Sequence, residues 1–140
     1  MGFFRKAIID KFIIVAISTG LTMNEKNHPS ILSAIIKSKP SYWIMLNPDA
    51  YSIFFRSRES NSQSRAELLI KCVQELIVND DRFADFKVGT NEGELVSELN
   101  WLGKVVFLPL GEAVNVAYKN QKGRKELQGT ASKNKLKENV

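Results

Sequence analysis

Three acidic residues on one predicted strand are a group whose type and spacing could support chemistry in this 140-residue sequence. Glu92, Glu94 and Glu98 are separated by even numbers of positions, which directs their carboxylates to one face of a strand. Gathered carboxylates can hold a divalent cation or act as general acids and bases. No histidine or further acidic residue recurs at a matching spacing. The sequence therefore favours the alternative, a solvated strand face.

The other residue types used in catalysis are sparse. His28 is the single histidine and precedes Pro29 at the start of a predicted helix, where capping or exposure is the expected role. No pattern indicates a P-loop, a nucleophile with its base, or a zinc site. Cys72 is the single cysteine and cannot form an intrachain disulfide, which predicts a packed thiol in a reducing, cytoplasmic compartment.

Charge is unevenly distributed along the chain. Residues 1–118 carry 13 basic and 13 acidic residues, whereas residues 119–140 carry seven basic and two acidic ones, which accounts for the net charge of +5. The second segment also has few apolar residues. We therefore predict one domain at residues 1–118 and a basic, flexible tail at residues 119–140. A weak, nonspecific contact of this tail with nucleic acid or another acidic partner is one predicted role.

The N-terminal segment has the outline of a signal peptide, because Arg5 and Lys6 precede an apolar run at residues 12–17. No small-residue cleavage pattern follows, and the run is far shorter than the roughly 20 residues that span a bilayer. We instead predict a strand at residues 12–18 that is buried on both faces, and no membrane partner.

Periodicity predicts alternating helices and strands after this first strand. Helical spacing of apolar residues runs from Asn27 or His28 to Lys39 and recurs from Ala66 to Ile77. Further elements are predicted as a hairpin of strands 42–46 and 51–55 closed by Asn47-Pro48-Asp49, strands at 86–89, 95–99 and 105–110, and a helix at 113–119. This order predicts an α+β, ferredoxin-like (split β-α-β) antiparallel sheet with helices on one face.

Four segments of the sequence resemble landmarks of the catalytic domain of class III nucleotidyl cyclases. In chain order they are residues 15–22, similar to a strand ending in G-F-T; residues 48–55, similar to a G-D-x-x-x-x-x-F hairpin; residues 86–96, similar to V-G-I-x-x-G-x-V; and residues 111–117, similar to G-x-x-V-N-x-A. The last is the most specific, and together they cover about residues 12–119. The alternative is an unrelated ferredoxin-like domain.

The resemblance implies a site for two divalent cations, Mg²⁺ or Mn²⁺, held by two aspartates on adjacent strands. Asp49 matches the second aspartate, whereas Ile17 stands in the place of the first and offers no oxygen ligand. Asp49 is alternatively a turn residue. We therefore expect no cofactor, and Mg²⁺ or Mn²⁺ only if the cyclase site is functional.

The resemblance also places residues that select the base and stabilise the phosphates. Met45 and Leu108 stand where the family has polar base-selecting residues, and both are expected to fill the core. Asn115 matches the asparagine that orients the ribose. Lys119 replaces an arginine that stabilises phosphate charge, and it keeps the charge without the bidentate fork. Lys119 is alternatively an exposed helix residue.

These departures predict a degenerate, C-terminally shortened cyclase-like domain. The leading hypothesis is a signalling pseudoenzyme without cyclase activity on its own, paired as a homodimer or with a cyclase-type partner chain, because the family's sites form between two chains. A purine nucleotide is the ligand that this resemblance implies. The alternatives are a divergent, active cyclase that acts on ATP or GTP, and an unrelated ferredoxin-like binding domain with a tail that contacts nucleic acid.

Overall fold

In the part of the chain that the structure describes, a five-stranded antiparallel sheet packs against α-helices. The computed structural model describes residues 6–19, 28–46, 50–99 and 105–129, with the backbone alone for residues 6–8, 28, 46, 97–99 and 105–110. The elements are β1 (Lys6–Ser18), α1 (His28–Ser38), β2 (Tyr42–Leu46), β3 (Ala50–Arg56), α2 (Ser62–Asn79), a 3-10 turn (Asp81–Phe83), β4 (Lys87–Leu99), β5 (Val105–Leu110) and α3 (Glu112–Lys119). This architecture confirms the predicted α+β class.

The first strand is the centre of the sheet. The strand order is β2-β3-β1-β4-β5, and β1 pairs antiparallel with both β3 and β4. Its C-terminal half is apolar on both faces because each face is covered by helix, with Phe12, Ile14 and Ala16 on one side and Val15 and Ile17 on the other. The prediction of a doubly buried strand at residues 12–18 is confirmed.

Two strands are longer than the sequence pattern predicts. β1 begins at Lys6 instead of Phe12, and the predicted separate strands at 86–89 and 95–99 form the single strand β4. Gly89, the predicted end of the first of these strands, lies inside the β1–β4 ladder opposite Ala16, and Gly93 lies in the same ladder opposite Phe12. The two edge strands of the sheet, β2 and β5, approach each other, which indicates that the sheet is curved.

The helices lie on both faces of the sheet. Helices α1 and α2 cover one face, which we call the α1/α2 face, whereas α3 covers part of the opposite face, which we call the α3 face. The buried residues of the α3 face are Phe12, Ile14, Ala16, Phe54, Leu95, Val114 and Ala117. The prediction of helices on one face therefore holds for α1 and α2 and is corrected for α3.

Both predicted long helices have the expected buried stripe. In α2 the buried positions Ala66, Leu69, Val73 and Ile77 recur at helical spacing, and α1 buries Ile31, Ala34 and Ile35 against the same cluster. No helix within the described ranges is long and apolar enough to cross a membrane.

The chain continues to pack against the domain after α3. The backbone of Lys122 exchanges two hydrogen bonds with Val88 at 2.9 and 3.1 Å. The Arg124 guanidinium donates to the carbonyl of Ile77 at 2.6 Å and contacts Asp81 at 2.8 Å. Leu127 packs against the α1/α2 core. These contacts correct the predicted boundary at residue 118 and the predicted flexibility for residues 119–129, whereas the rest of the predicted tail lies outside the described residues.

Candidate functional site

Helix α3 begins and ends where two glycines of β4 allow it to approach the sheet. A Cβ added to Gly89 would lie 2.3 Å from the Ala117 carbonyl oxygen, and one added to Gly93 would lie 2.8 Å from the Cβ of Ala113. Between them, the side-chain amide of Asn91 donates to the Ala113 carbonyl at 3.1 Å. The family-like segment at residues 86–96 therefore supplies the surface on which the V-N-x-A helix rests.

Hydrogen bonds fix the C-terminal end of α3 to the strands. The Tyr118 hydroxyl donates to the Tyr51 carbonyl at 3.1 Å and is hydrogen-bonded to the Ser52 hydroxyl at 2.8 Å. Burial raises the pKa of Tyr118, and the Ser52 hydrogen bond offsets part of that rise. Just beyond the helix, the Gln121 amide donates to the Ala16 carbonyl at 3.2 Å and to the Ser18 hydroxyl at 2.8 Å. The end of α3 and the residue just beyond it are thus attached to β3 and β1.

Two predicted site residues share the solvent face of this helix. Asn115 and Lys119 are exposed, whereas Val114 and Ala117 are buried against the sheet. Their spacing of four residues is about one helical turn, or roughly 6 Å along the axis. The structure therefore brings Asn115 and Lys119 together on one polar surface.

The position that the resemblance assigns to a metal ligand lies inside the apolar core. Ile17 is fully buried and belongs to the cluster under α1 and α2, paired across the strands with Tyr51 and Val88. Its side chain is on the α1/α2 face, opposite the face that carries α3. A hard divalent cation prefers oxygen ligands, and an isoleucine among apolar neighbours supplies none. Position 17 therefore does not fit the two-metal site that the resemblance implies.

The second predicted metal ligand, Asp49, lies outside the described residues. Its neighbour Ala50 begins β3 and pairs with Ser18, and Tyr51 pairs with Ile17, so the hairpin meets β1 at the predicted position. No group of three histidine, cysteine, aspartate or glutamate side chains is arranged to hold a metal ion in the part of the chain that the structure describes.

The structure describes the side chain at one of the two base-selecting positions. Met45 is 43% exposed on the edge strand β2, so the expectation that it fills the core is wrong. An edge strand has a neighbour on one side only, which leaves its side chains partly open to water. Leu108 lies in β5, where the structure describes the backbone alone, and the expectation for its side chain falls outside the described residues.

The acidic strand is solvated, as the sequence favoured. Glu92 and Glu94 are exposed, and Glu92 forms a 3.1 Å ion pair with Lys11 and accepts a 3.3 Å hydrogen bond from the Ser57 hydroxyl. The side chains of Glu98 and His28 lie outside the described residues, although α1 begins at His28 as predicted.

A charged network that the sequence analysis missed lies on the α3 face. The Arg56 Nε and Asp10 Oδ2 atoms are buried and 2.9 Å apart, and Arg58 reaches the same oxygen at 3.2 Å. Desolvation lowers the pKa of Arg56, but its hydrogen bond to Tyr42 and the charges of Asp10 and Glu59 outweigh this and raise it. No local spacing marks these residues, because Asp10 lies in β1, whereas Arg56 ends β3 and Arg58 follows it.

Comparison with known proteins finds this fold in one class of enzyme domain. No family model and no curated protein matches the sequence. Among solved structures, the catalytic core of a rhodopsin-guanylyl cyclase with converted specificity, in complex with ATPαS, is 15% identical, with a TM-score of 0.55 over 85% of this chain and 77% of that chain.

Two further solved structures have a similar fold. The monomeric guanylyl cyclase domain of the RhoGC fusion protein from the aquatic fungus Blastocladiella emersonii is 15% identical, with a TM-score of 0.56 over 84% of this chain and 80% of that chain. A bacterial light-regulated adenylyl cyclase is 14% identical, with a TM-score of 0.55 over 81% of this chain and 40% of that chain. The chain therefore has the fold of nucleotidyl cyclase catalytic domains. This is the fold that the four sequence segments predicted.

Proposed function

We propose that this protein is a cyclase-fold signalling module without cyclase activity on its own, which acts in the cytoplasm by pairing with a second copy or with a cyclase-type partner chain. The partly buried Cys72 packs against the α1/α2 core, which supports the cytoplasmic assignment.

The observation that carries the proposal is the burial of Ile17. In an active cyclase site, a carboxylate at this position would hold a divalent cation. In this chain the position is occupied by the Ile17 side chain, which lies among Tyr51, Val88 and the buried residues of α1 and α2. Asp49 alone is a poor ligand set for two cations, each of which requires several oxygen atoms. Ile17 and Asp49 together therefore do not supply the ligands that would activate a ribose hydroxyl and neutralise a triphosphate.

The positions that would contact the nucleotide support the same proposal. Met45 and Leu108 offer no donor or acceptor to a purine edge, and a buried base edge left unpaired costs about 1–3 kcal/mol. Lys119 is exposed and holds a charge, but it cannot form the two parallel hydrogen bonds by which an arginine holds a phosphate. Selection of the base and stabilisation of the transition state are both weakened.

The test is incubation of the purified chain with ATP and, separately, GTP in the presence of Mn²⁺, with cyclic nucleotide measured chromatographically. We expect no product above that of a heat-denatured sample. A cyclic product that disappears in Asp49→Ala, with Glu94→Ala as the matched control, would overturn the proposal in favour of a divergent active cyclase.

The second candidate is that divergent cyclase, and the polar surface of α3 favours it. Asn115 and Lys119 remain exposed and one turn apart, available to the ribose and phosphates of a purine nucleotide. If this surface holds the nucleotide that such a cyclase converts, the amount of cyclic product and the calorimetric affinity for ATP or GTP both fall in Asn115→Ala and Lys119→Ala and not in Lys71→Ala on α2.

A further inference from the structure

A groove lies between helix α2 and strand β4 on the α1/α2 face, and we call it the α2/β4 groove. Its volume is about 370 Å³, and it is bounded by the first half of α2 and by the middle of β1 and β4. Ile13 and Ile70 line it at the partly buried edge of the apolar core, whereas Glu67 and Glu92 line it from exposed positions on α2 and β4. The groove therefore combines an apolar centre with an acidic residue on each side.

The charge of this groove is negative. Among the described residues that line it are two glutamates and no lysine or arginine. Glu67 accepts a 3.2 Å hydrogen bond from the side-chain amide of Gln63, and Glu92 forms a 3.1 Å ion pair with Lys11. Glu94 is exposed on the same face of β4, because it lies two positions beyond Glu92. The groove and its margin towards Lys11 thus hold three carboxylates and one lysine, which favours a cationic occupant.

The described part of the chain ends beside the groove. Lys122 pairs with Val88 at the start of β4, and Leu127 packs against the core cluster that includes Val88 and Ile77. Gly129 is the last described residue. From this end of α2 and β4, the groove continues along the same helix and the same strand. A chain that continues past residue 129 can therefore enter it directly.

The distance along the groove is within reach of the next residues. Glu92 lies four positions beyond Val88 on β4, which is roughly 13 Å along a strand. Glu67 lies ten positions before Ile77 on α2, which is roughly 15 Å along the helix axis. Seven residues, from 130 to 136, span at most about 25 Å when extended. Leu136 can therefore reach the part of the groove between the two glutamates.

The sequence of residues 130–140 is complementary to the groove. This segment carries three lysines and one glutamate, and Leu136 is flanked by Lys135 and Lys137. A leucine side chain suits the apolar centre beside Ile13 and Ile70. Lysine side chains are long enough to cover apolar surface while their ammonium groups reach charged partners at its edge. One apolar residue between two cations therefore matches an apolar centre between two carboxylates.

We propose that residues 130–140 dock in the α2/β4 groove of their own chain, with Leu136 at its apolar centre and the flanking lysines at Glu67 and Glu92. The covalent connection favours this occupant, because a segment on a short flexible linker has an effective concentration in the millimolar range. The acidic partner of the basic segment is then the domain itself. This inference goes beyond the pairing role proposed above and does not depend on it.

The test is zero-length carbodiimide cross-linking of the full chain, which joins lysine amines to carboxylates that they contact. Linked peptides are identified by mass spectrometry of the monomeric product. We expect links from the lysines of residues 130–140 to Glu67 or Glu92. The Lys11–Glu92 ion pair, at 3.1 Å, is the internal positive control. Glu75 is exposed on α2 outside this groove and should not be linked to the segment.

Two variants test the contacts that the proposal names. Glu67→Lys should reduce the link between residues 130–140 and Glu92 severalfold, because it replaces an attractive charge with a repulsive one. Glu75→Lys makes the same change at another exposed position of α2 and should leave this link unchanged. Leu136→Asp should also reduce the link, because it removes the apolar contact and adds a negative charge beside two carboxylates.

The possible results decide between this occupant and others. If Lys11 is linked to Glu92 but the segment is not linked to the groove, the proposal is wrong. Links to Glu67 or Glu92 that occur only in covalent dimers also contradict it, and they indicate that the segment of a second copy occupies the groove. Equal linkage in Glu67→Lys and Glu75→Lys would show that charge does not hold the segment there, and would overturn the proposal. None of these results alters the expected absence of cyclic nucleotide product, which the cyclase assay measures separately.

Discussion

Replacing Ile17 with aspartate introduces the residue that the resemblance to cyclases implies at this position, and we expect it to destabilise the domain without creating a metal site. Removing a buried aliphatic side chain costs about 2–5 kcal/mol, and an unpaired polar group in the same space costs about 1–3 kcal/mol more. The whole domain is expected to be stable by about 5–15 kcal/mol. Ile17→Asp therefore removes a large part of the free energy of unfolding.

The pH dependence separates a buried carboxyl from a metal ligand. Burial raises the pKa of a carboxyl group in the folded state, so the folded chain binds more protons than the unfolded chain above pH 4 and its stability falls as pH rises. Each unit of this difference corresponds to about 1.4 kcal/mol. Asparagine has nearly the same shape as aspartate and does not titrate, so the stability that Ile17→Asn loses relative to the wild type should be independent of pH.

The assay is urea denaturation of both variants between pH 5 and pH 8, with and without Mn²⁺. Ile17→Val, which removes one methylene group, is the control and should lose about 0.5–1.5 kcal/mol. The reasoning is refuted if Ile17→Asp is as stable as Ile17→Val, or if Mn²⁺ raises its denaturation midpoint while leaving Ile17→Asn unchanged.

Three further predictions follow from the packing of the domain. Gly89→Ala should cost about 3 kcal/mol or more in urea denaturation because its Cβ meets backbone at 2.3 Å, whereas Gly123→Ala, with its nearest contact at 3.5 Å, should have little effect. Burial raises the pKa of Tyr51 to about 12, so the free energy of unfolding should fall by about 2–3 kcal/mol as the pH rises from 10 to 12. The fall should be smaller in Tyr51→Phe. An equal fall in the wild type and in Tyr51→Phe would contradict this prediction. Arg124→Ala should detach residues 120–129 from the domain, because it removes the contacts with Ile77 and Asp81. Limited proteolysis after Lys119 or Lys122 should then be faster than in the control Lys125→Ala. Equal cleavage of the two variants would show that these contacts contribute little.

The helices and most of the strands could be predicted from sequence because each depends on a local pattern. The buried stripe of α2, from Ala66 to Ile77, appears directly in the spacing of apolar residues. The V-N-x-A segment at residues 114–117 marked α3 through its resemblance to the cyclase motif. Burial of Ile17 followed from an apolar run without alternation, which indicates a strand covered on both faces.

The features that sequence could not predict depend on contacts between distant residues. Gly89 was the predicted end of a strand, whereas in the structure Gly89 and Gly93 allow α3 to approach β4. The composition of residues 119–129 suggested a flexible tail, whereas Gln121 and Arg124 attach this segment through hydrogen bonds to Ala16 and Ile77, more than 40 positions away. Such bonds have no periodicity, so no local pattern reports them.

The central place of β1 affects how quickly the domain can form. Ile17 is paired with Tyr51 and Val88, 34 and 71 residues later in the chain. Sheets built from such distant pairings fold on the order of milliseconds to seconds, because long loops must close before the contacts stabilise them. During synthesis the apolar first strand emerges well before β4, so it stays exposed to aggregation or to chaperones until the fourth strand has left the ribosome.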